Sequence, residues 1–169
     1  MDDSTDQSAR AIAAAEQLGL EFTVVRHGPV RSLAEAAEAR GVAPAQVVKT
    51  MVVRVADDDH RFVLVPGDRE IAWPRLRALL GVNRLSMPSA EAARDVTGYV
   101  RGTITPLGAR TALPVVADER LRGPVSIGGG AYGVALGVDA GALLAALDAT
   151  VADVTDPVVT DPVVTDPAG

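Results

Sequence analysis

The chain has 169 residues with 22 acidic and 16 basic side chains, a formal net charge of −6. Its length argues for about one domain, and at 48% hydrophobic and 22% charged it has too much apolar content for a wholly disordered chain. The absence of cysteine excludes disulfides, thiolate catalysis and cysteine-ligated zinc or iron–sulfur sites, and two histidines, His27 and His60, leave little for a metal centre.

The pattern predicts a helix over 8–18 stopped by Gly19, then a strand over 21–26. The capping sequence Ser32-Leu-Ala-Glu35 predicts a helix over 33–39 that ends at Gly41. Pro44 opens one helical turn ahead of the β-rich run 47–55, Asp57-Asp58-Asp59 turns the chain, and 61–65 returns as its hairpin partner. Helices are expected at 74–80 and 89–97, the second capped by Ser89, with short strands at 83–87, 113–117, 124–127 and 132–138. Asp139 caps a last helix over 140–147. Short strands joined by hairpins and interrupted by helices predict a mixed α/β domain with a strongly curved sheet rather than a regular βαβ alternation.

From Val154 the sequence Val-Thr-Asp-Pro recurs three times with a five-residue period. A proline every fifth residue opposes both a helix and a central strand. Residues 151–169 are therefore expected as a disordered tail, 1–8 as a disordered acidic N-terminus and 9–150 as the domain. The two ends hold seven carboxylates and no basic residue, so the body carries 15 acidic and 16 basic side chains. Such a nearly neutral body suits an RNA end held in a local basic pocket better than tracking along a DNA or RNA duplex. The acidic start is unlike a secretory signal. The longest uncharged run of the C-terminal part, 123–138, has 16 residues and contains Pro124, where a membrane span needs about 20. A cytoplasmic protein with no membrane partner is expected.

Lys49 is the only lysine, against fifteen arginines, and it sits inside an apolar strand. Where Arg supplies charge everywhere else, one Lys suggests a site that needs a compact ammonium, with a chance survivor at a strand edge as the alternative. Gly102-Thr103-Ile104-Thr105-Pro106-Leu107-Gly108 brackets a proline with glycines and can leave amide N–H groups free for a ligand or an oxyanion, or be an ordinary loop. Gly128-Gly129-Gly130 with Gly133 formally contains a dinucleotide-binding fingerprint, but a strand rather than a helix is expected after it. His27 follows a strand and is a candidate base or ligand contact. No Gly-x-Ser-x-Gly elbow is present, which disfavours a serine hydrolase.

Taken together, these segments resemble the aminoacyl-tRNA editing domains of the YbaK and prolyl-tRNA-synthetase-associated type. The resemblance runs through Glu21-Phe-Thr-Val-Val-Arg-His-Gly-Pro-Val30, Ser32 to Gly41, and Gln46-Val-Val-Lys-Thr-Met-Val-Val53. It continues through Gly102-x-x-x-Pro106 with Gly108, Pro114-Val-Val-Ala-Asp118, and Val125-Ser-Ile-Gly-Gly-Gly130 before Gly133, and so covers about residues 9–150. It implies an α/β fold with a curved, mixed, mostly antiparallel, barrel-like sheet and flanking helices, and a trans-editing hydrolase that deacylates misacylated tRNA at its 3′ end, with Cys- or Ala-charged tRNA for proline as candidate substrates and a synthetase as a candidate partner. A catalytically silent module that binds RNA ends or a synthetase is the alternative.

By the same resemblance, Lys49 contacts the phosphate backbone at the terminal adenosine, and Gly102 and Thr105 belong to the loop that holds the ester for attack. His27, Thr103, Ile104, Pro106, Gly108, Gly128, Gly129 and Gly130 are the implied substrate contacts. No metal or cofactor is implied, because an aminoacyl ester is activated and an oriented water, preorganised amides and the substrate's own ribose hydroxyl suffice. His27 stands where some relatives have tyrosine, Ala135 near where they have aspartate, and Thr105 where serine is common. These departures bear on which amino acid is recognised.

Overall fold

The computed structural model describes residues 3–158. Helix α1 (Asp3–Gln17), strand β1 (Phe22–Arg26), helix α2 (Leu33–Arg40) and a 3-10 turn (Pro44–Gln46) lead into the hairpin β2 (Val47–Ala56) and β3 (Asp59–Pro66). Then follow β4 (Arg69–Ile71), α3 (Trp73–Leu80), α4 (Ala90–Thr97), β5 (Val115–Asp118), β6 (Pro124–Gly128) and β7 (Val134–Asp139). Helix α5 (Ala140–Ala146) and strands β8 (Thr150–Ala152) and β9 (Thr155–Pro157) complete the described chain.

Seven strands form one mixed sheet in the order β1-β7-β6-β2-β3-β5-β8, and β4 pairs with β9 in a second sheet of two. The long ladders, β2 with β3, β1 with β7 and β6 with β7, are antiparallel. The short ones, β2 with β6, β3 with β5 and β5 with β8, are parallel. This is the mixed, mostly antiparallel α/β architecture that the resemblance implies.

The hydrophobic run of β2 is nearly continuous because both faces of the strand are covered. Val48 and Val52 pack with Phe62 and Leu64 into one core beneath α1 and α5, which contribute Ala11, Ala15, Leu143 and Leu144. Val53, with Val63 and Val65, joins a second core with Leu76 of α3, Ile71 and Val154. Each such aliphatic side chain contributes about 1.5–3 kcal/mol on burial. Because successive side chains alternate, Lys49 lies on the second-core face beside Met51, and Thr50 on the first-core face between Val48 and Val52.

The helix caps are largely those expected. Ser32 Oγ accepts from Glu35 N, Ser89 Oγ from Ala92 N and Asp139 Oδ2 from Ala142 N. The return half of the Ser32 box is displaced by one residue: the Glu35 carboxylate accepts from the Arg31 amide.

Three expectations need correction. Helix α1 begins at Asp3, so the helical start lies inside the segment expected to be disordered. Residues 83–87 form no strand; they contribute a single bridge, Arg54 to Ser86, beyond which Pro88 has no N–H with which to extend pairing. The chain past 150 is structured through 158, because Val154 and Thr155 are buried and held by distant partners: Val154 N donates to the Asp118 carboxylate and Arg69 Nε donates to Thr155 Oγ1. Pro157 is tolerated at the end of an edge strand. The two later repeats, at 159–169, lie outside the described residues. Among the described residues, no helix is long and apolar enough to cross a membrane.

Candidate active site

The parallel ladder between β2 and β6 has only two rungs, Val47 with Ser126 and Val48 with Ile127. Beyond them the strands part. Lys49 on β2 and Gly128 on β6 are the first residues past the last rung, and a cleft of ≈ 680 Å³ lined by both opens there. Arg54 directs its backbone N–H and C=O to Ser86, away from β3. In an antiparallel ladder the residues of the same parity, Thr50 and Val52, turn their backbone groups the same way, toward the opening.

Lys49 is half-buried, and its Nζ donates to the Arg69 carbonyl oxygen at 2.5 Å. Burial pushes the ammonium below its ordinary range, and the nearby carboxylates of Glu70 and Asp68 pull it partly back. Lys49, Met51 and Met87 also line a smaller adjoining cavity of ≈ 330 Å³ with Glu70, Ile71 and Trp73. Lys49 thus stands at the junction of two cavities.

The opposite wall is the loop between α4 and β5. It is closed at its base by Arg110 N donating to Thr97 O, and braced inside by the Tyr99 hydroxyl donating to Leu107 O at 2.6 Å. Arg10 of α1 lies 5.0 Å from the Tyr99 ring centroid and donates to Gly108 O. Gly102 and Ile104 line the cleft, and their N–H groups have no acceptor among the described residues. A Cβ at Gly128 would lie 3.7 Å from the Ile104 carbonyl oxygen, an ordinary contact distance, so β6 and the loop run side by side here. Tyr132 is 68% exposed, lies against Gly102 and donates its hydroxyl to Arg101 O.

The other residues singled out in the sequence lie outside the cleft lining. Thr103 is buried and donates its hydroxyl to Val100 O; Thr105 is fully buried and accepts from Leu107 N. These hydroxyls shape the loop from behind, as do Pro106 and Gly108. At Gly108 (φ 71°) a Cβ would meet Arg10 O at 2.6 Å, and at Gly130 (φ 88°) it would meet Gln7 O at 2.7 Å, so both positions seat α1. Gly129 packs on Val134. His27 is tied to Gly133 O through its amide, with Nδ1 on Gly28 O and Nε2 buried without a partner. Ala135 is buried in β7.

Two polar groups at the cleft escaped sequence reasoning. Arg40 Nε and Thr50 Oγ1 are buried without hydrogen-bond partners, and both residues line the cleft. No local pattern marks them; Thr50 could have been found only as the neighbour of Lys49. Among the described residues no three His, Asp or Glu side chains converge as a metal site would require.

The model of a family described as the aminoacyl-tRNA editing domain matches residues 27–146. A Ser/Thr-tRNA deacylase of Escherichia coli K12, described as multifunctional and named ProXp-y, is 31% identical over 115 residues, covering 66% of this chain and 69% of the relative. The proline–tRNA ligase of Heliobacterium modesticaldum is 42% identical over 80 residues, 47% of this chain and 14% of the ligase. The chain thus spans only a small part of the ligases it resembles. A crystal structure of a candidate trans-editing enzyme for prolyl tRNA synthetase superposes with a TM-score of 0.80 at 29% identity, covering 89% of this chain and 97% of that one.

Proposed function

The chain belongs to the aminoacyl-tRNA editing domain family, and on that premise we propose that it acts in trans as a deacylase of misacylated tRNA. The observation that carries the proposal is the position of Lys49, the sole lysine, where β2 and β6 part and opposite the unpaired N–H groups of the 102–108 loop.

In this reading Lys49 meets the phosphate backbone at the terminal adenosine, whose ribose sits beside it, and the aminoacyl group enters the larger cleft. Water attacks the ester carbonyl, and the N–H groups of Gly102 and Ile104 receive the developing oxyanion. The carbon–oxygen bond to the ribose then breaks; the ribose oxygen takes a proton and the free amino acid leaves. Lys49 acts by electrostatic positioning, and the ribose hydroxyl beside the ester helps orient the water. Thr105 holds the loop in shape from behind.

The lining of Val48, Met51, Val52, Met87, Ala93 and Ile104 suits a small aminoacyl group, and the unpaired Thr50 hydroxyl offers one hydrogen bond to it. Alanyl, cysteinyl, seryl and threonyl esters are the candidates. A hydrophobic site separates neighbours differing by one methylene by only about 1–3 kcal/mol, so overlapping activities are expected. The proposal places the protein in the cytoplasm, with charged tRNA.

The test is deacylation of tRNA for proline, and of cognate tRNAs, charged with these four amino acids and with proline. Hydrolysis of one or more small misacylated esters, with prolyl-tRNA for proline spared, is expected. Binding of tRNA without turnover on any ester would replace the deacylase by a silent RNA-end-binding module.

A further inference from the structure

Arg40 is the last residue of α2 and turns into the larger cleft. The residue is half-buried, its Nε is wholly buried without a hydrogen-bond partner, and it makes no ion pair among the described residues. The carbonyls at the helix end do not serve it: Gly41 N takes Glu38 O and Val42 N takes Ala37 O. Burial without a compensating carboxylate pushes its pKa down. A desolvated cation of this kind destabilises a fold unless something pairs with it, so it invites an anion.

Lys49 is different, since it already has the Arg69 carbonyl and the field of Glu70 and Asp68. Of the three cations that line the cleft, Lys49 is bonded and Arg101 is exposed to water, so the one both buried at Nε and uncompensated is Arg40. We infer that Arg40 is a second phosphate-binding residue of the cleft, beside Lys49, and grips a phosphodiester at the 3′ end of the RNA through its planar fork. This rests on the deacylase reading for the identity of the ligand. It adds to the contact expected of Lys49 and puts a phosphate on the α2 side of the opening.

The probes are a 5′-fluorescein-labelled ACCA tetranucleotide, which has phosphodiesters and no aminoacyl group, and free adenosine, which has neither. Binding of each is measured against salt concentration for the wild type, Arg40→Gln and Arg40→Lys, with thermal unfolding of all three. Arg40→Gln is expected to weaken ACCA binding about tenfold, the loss of one charge-assisted hydrogen bond, and to flatten the log–log salt slope by about 0.7. Adenosine binding should not change, and Arg40→Lys should keep the slope while regaining only part of the affinity. The Tm of Arg40→Gln should not fall, because an unpaired buried charge is removed.

Unchanged ACCA affinity and slope in Arg40→Gln would overturn the inference, as would failure of the wild type to bind ACCA. Equal weakening of ACCA and adenosine with a lowered Tm would also overturn it, by making Arg40 a structural residue. A loss confined to hydrolysis of aspartyl or glutamyl esters would assign the anion to the amino acid instead. An Arg40-dependent slope in a protein that hydrolyses no aminoacyl ester would leave the phosphate site standing and remove the deacylase reading alone.

Discussion

Lys49 donates its ammonium to the carbonyl oxygen of Arg69, twenty residues further along the chain. That carbonyl belongs to β4, which is held by β9, with Arg69 Nε donating to Thr155 Oγ1 at 2.7 Å and a second guanidinium nitrogen donating to Thr155 O at 3.0 Å. The first Val-Thr-Asp-Pro unit therefore buttresses the strand that orients the lysine. Replacing Thr155 by Val keeps the shape and removes the acceptor of a charged donor. Thr155→Val should lower stability by about 1–3 kcal/mol in urea unfolding and reduce kcat/KM less than Lys49→Ala does.

The charge state of Lys49 gives a pH prediction. Its folded-state pKa lies below its ordinary value because of burial, with Glu70 and then Asp68 opposing the shift. If the cation positions the substrate, activity falls as pH rises through that depressed value. Glu70→Gln removes an opposing carboxylate and should move the alkaline limb of kcat/KM to lower pH, once spontaneous ester hydrolysis is subtracted. Between the folded and unfolded values the unfolded chain binds more protons, so the contribution of Lys49 to stability rises with pH across that window. Glu70→Gln should widen the window, which unfolding curves above neutral pH would measure.

The two bracketing glycines of the active-site loop should respond differently to alanine. At Gly108 the new Cβ would meet the Arg10 backbone at 2.6 Å with φ at 71°. Backbone cannot yield cheaply there, and Gly108→Ala should cost about 1–3 kcal/mol or more in strain and detach α1 from the loop. At Gly102 the contact is 3.3 Å to the exposed Tyr132 ring, which can swing away, but φ is 91° and the methyl is added to a residue that lines the cleft. Gly102→Ala should lose stability by a smaller amount and activity by a larger one. Thermal unfolding beside deacylation rates separates the two.

Local rules made the frame legible. The caps at Ser32, Ser89 and Asp139, the closing glycines at 41 and 98 and the apolar run of β2 each depend on a few neighbouring residues. What escaped depends on partners far away in sequence. The regular prolines of the tail oppose a strand, yet β9 forms because the Asp118 carboxylate accepts from Val154 N and Arg75 donates to Thr155 O. Arg40 reads as an ordinary basic residue completing a helix dipole, and only the packed fold shows that its buried Nε has no partner among the described residues. Lys49 stood out by composition, but its bond to Arg69 needed the β4–β9 pairing that the sequence conceals.

The most direct measurement is single-turnover deacylation of the preferred misacylated tRNA by the wild type and Lys49→Ala, with tRNA binding measured in parallel. The mutant should still bind tRNA and lose about 10- to 150-fold in the hydrolytic rate, the worth of one charge-assisted hydrogen bond expressed in the transition state. An unchanged hydrolytic rate in a folded Lys49→Ala protein would contradict this expectation.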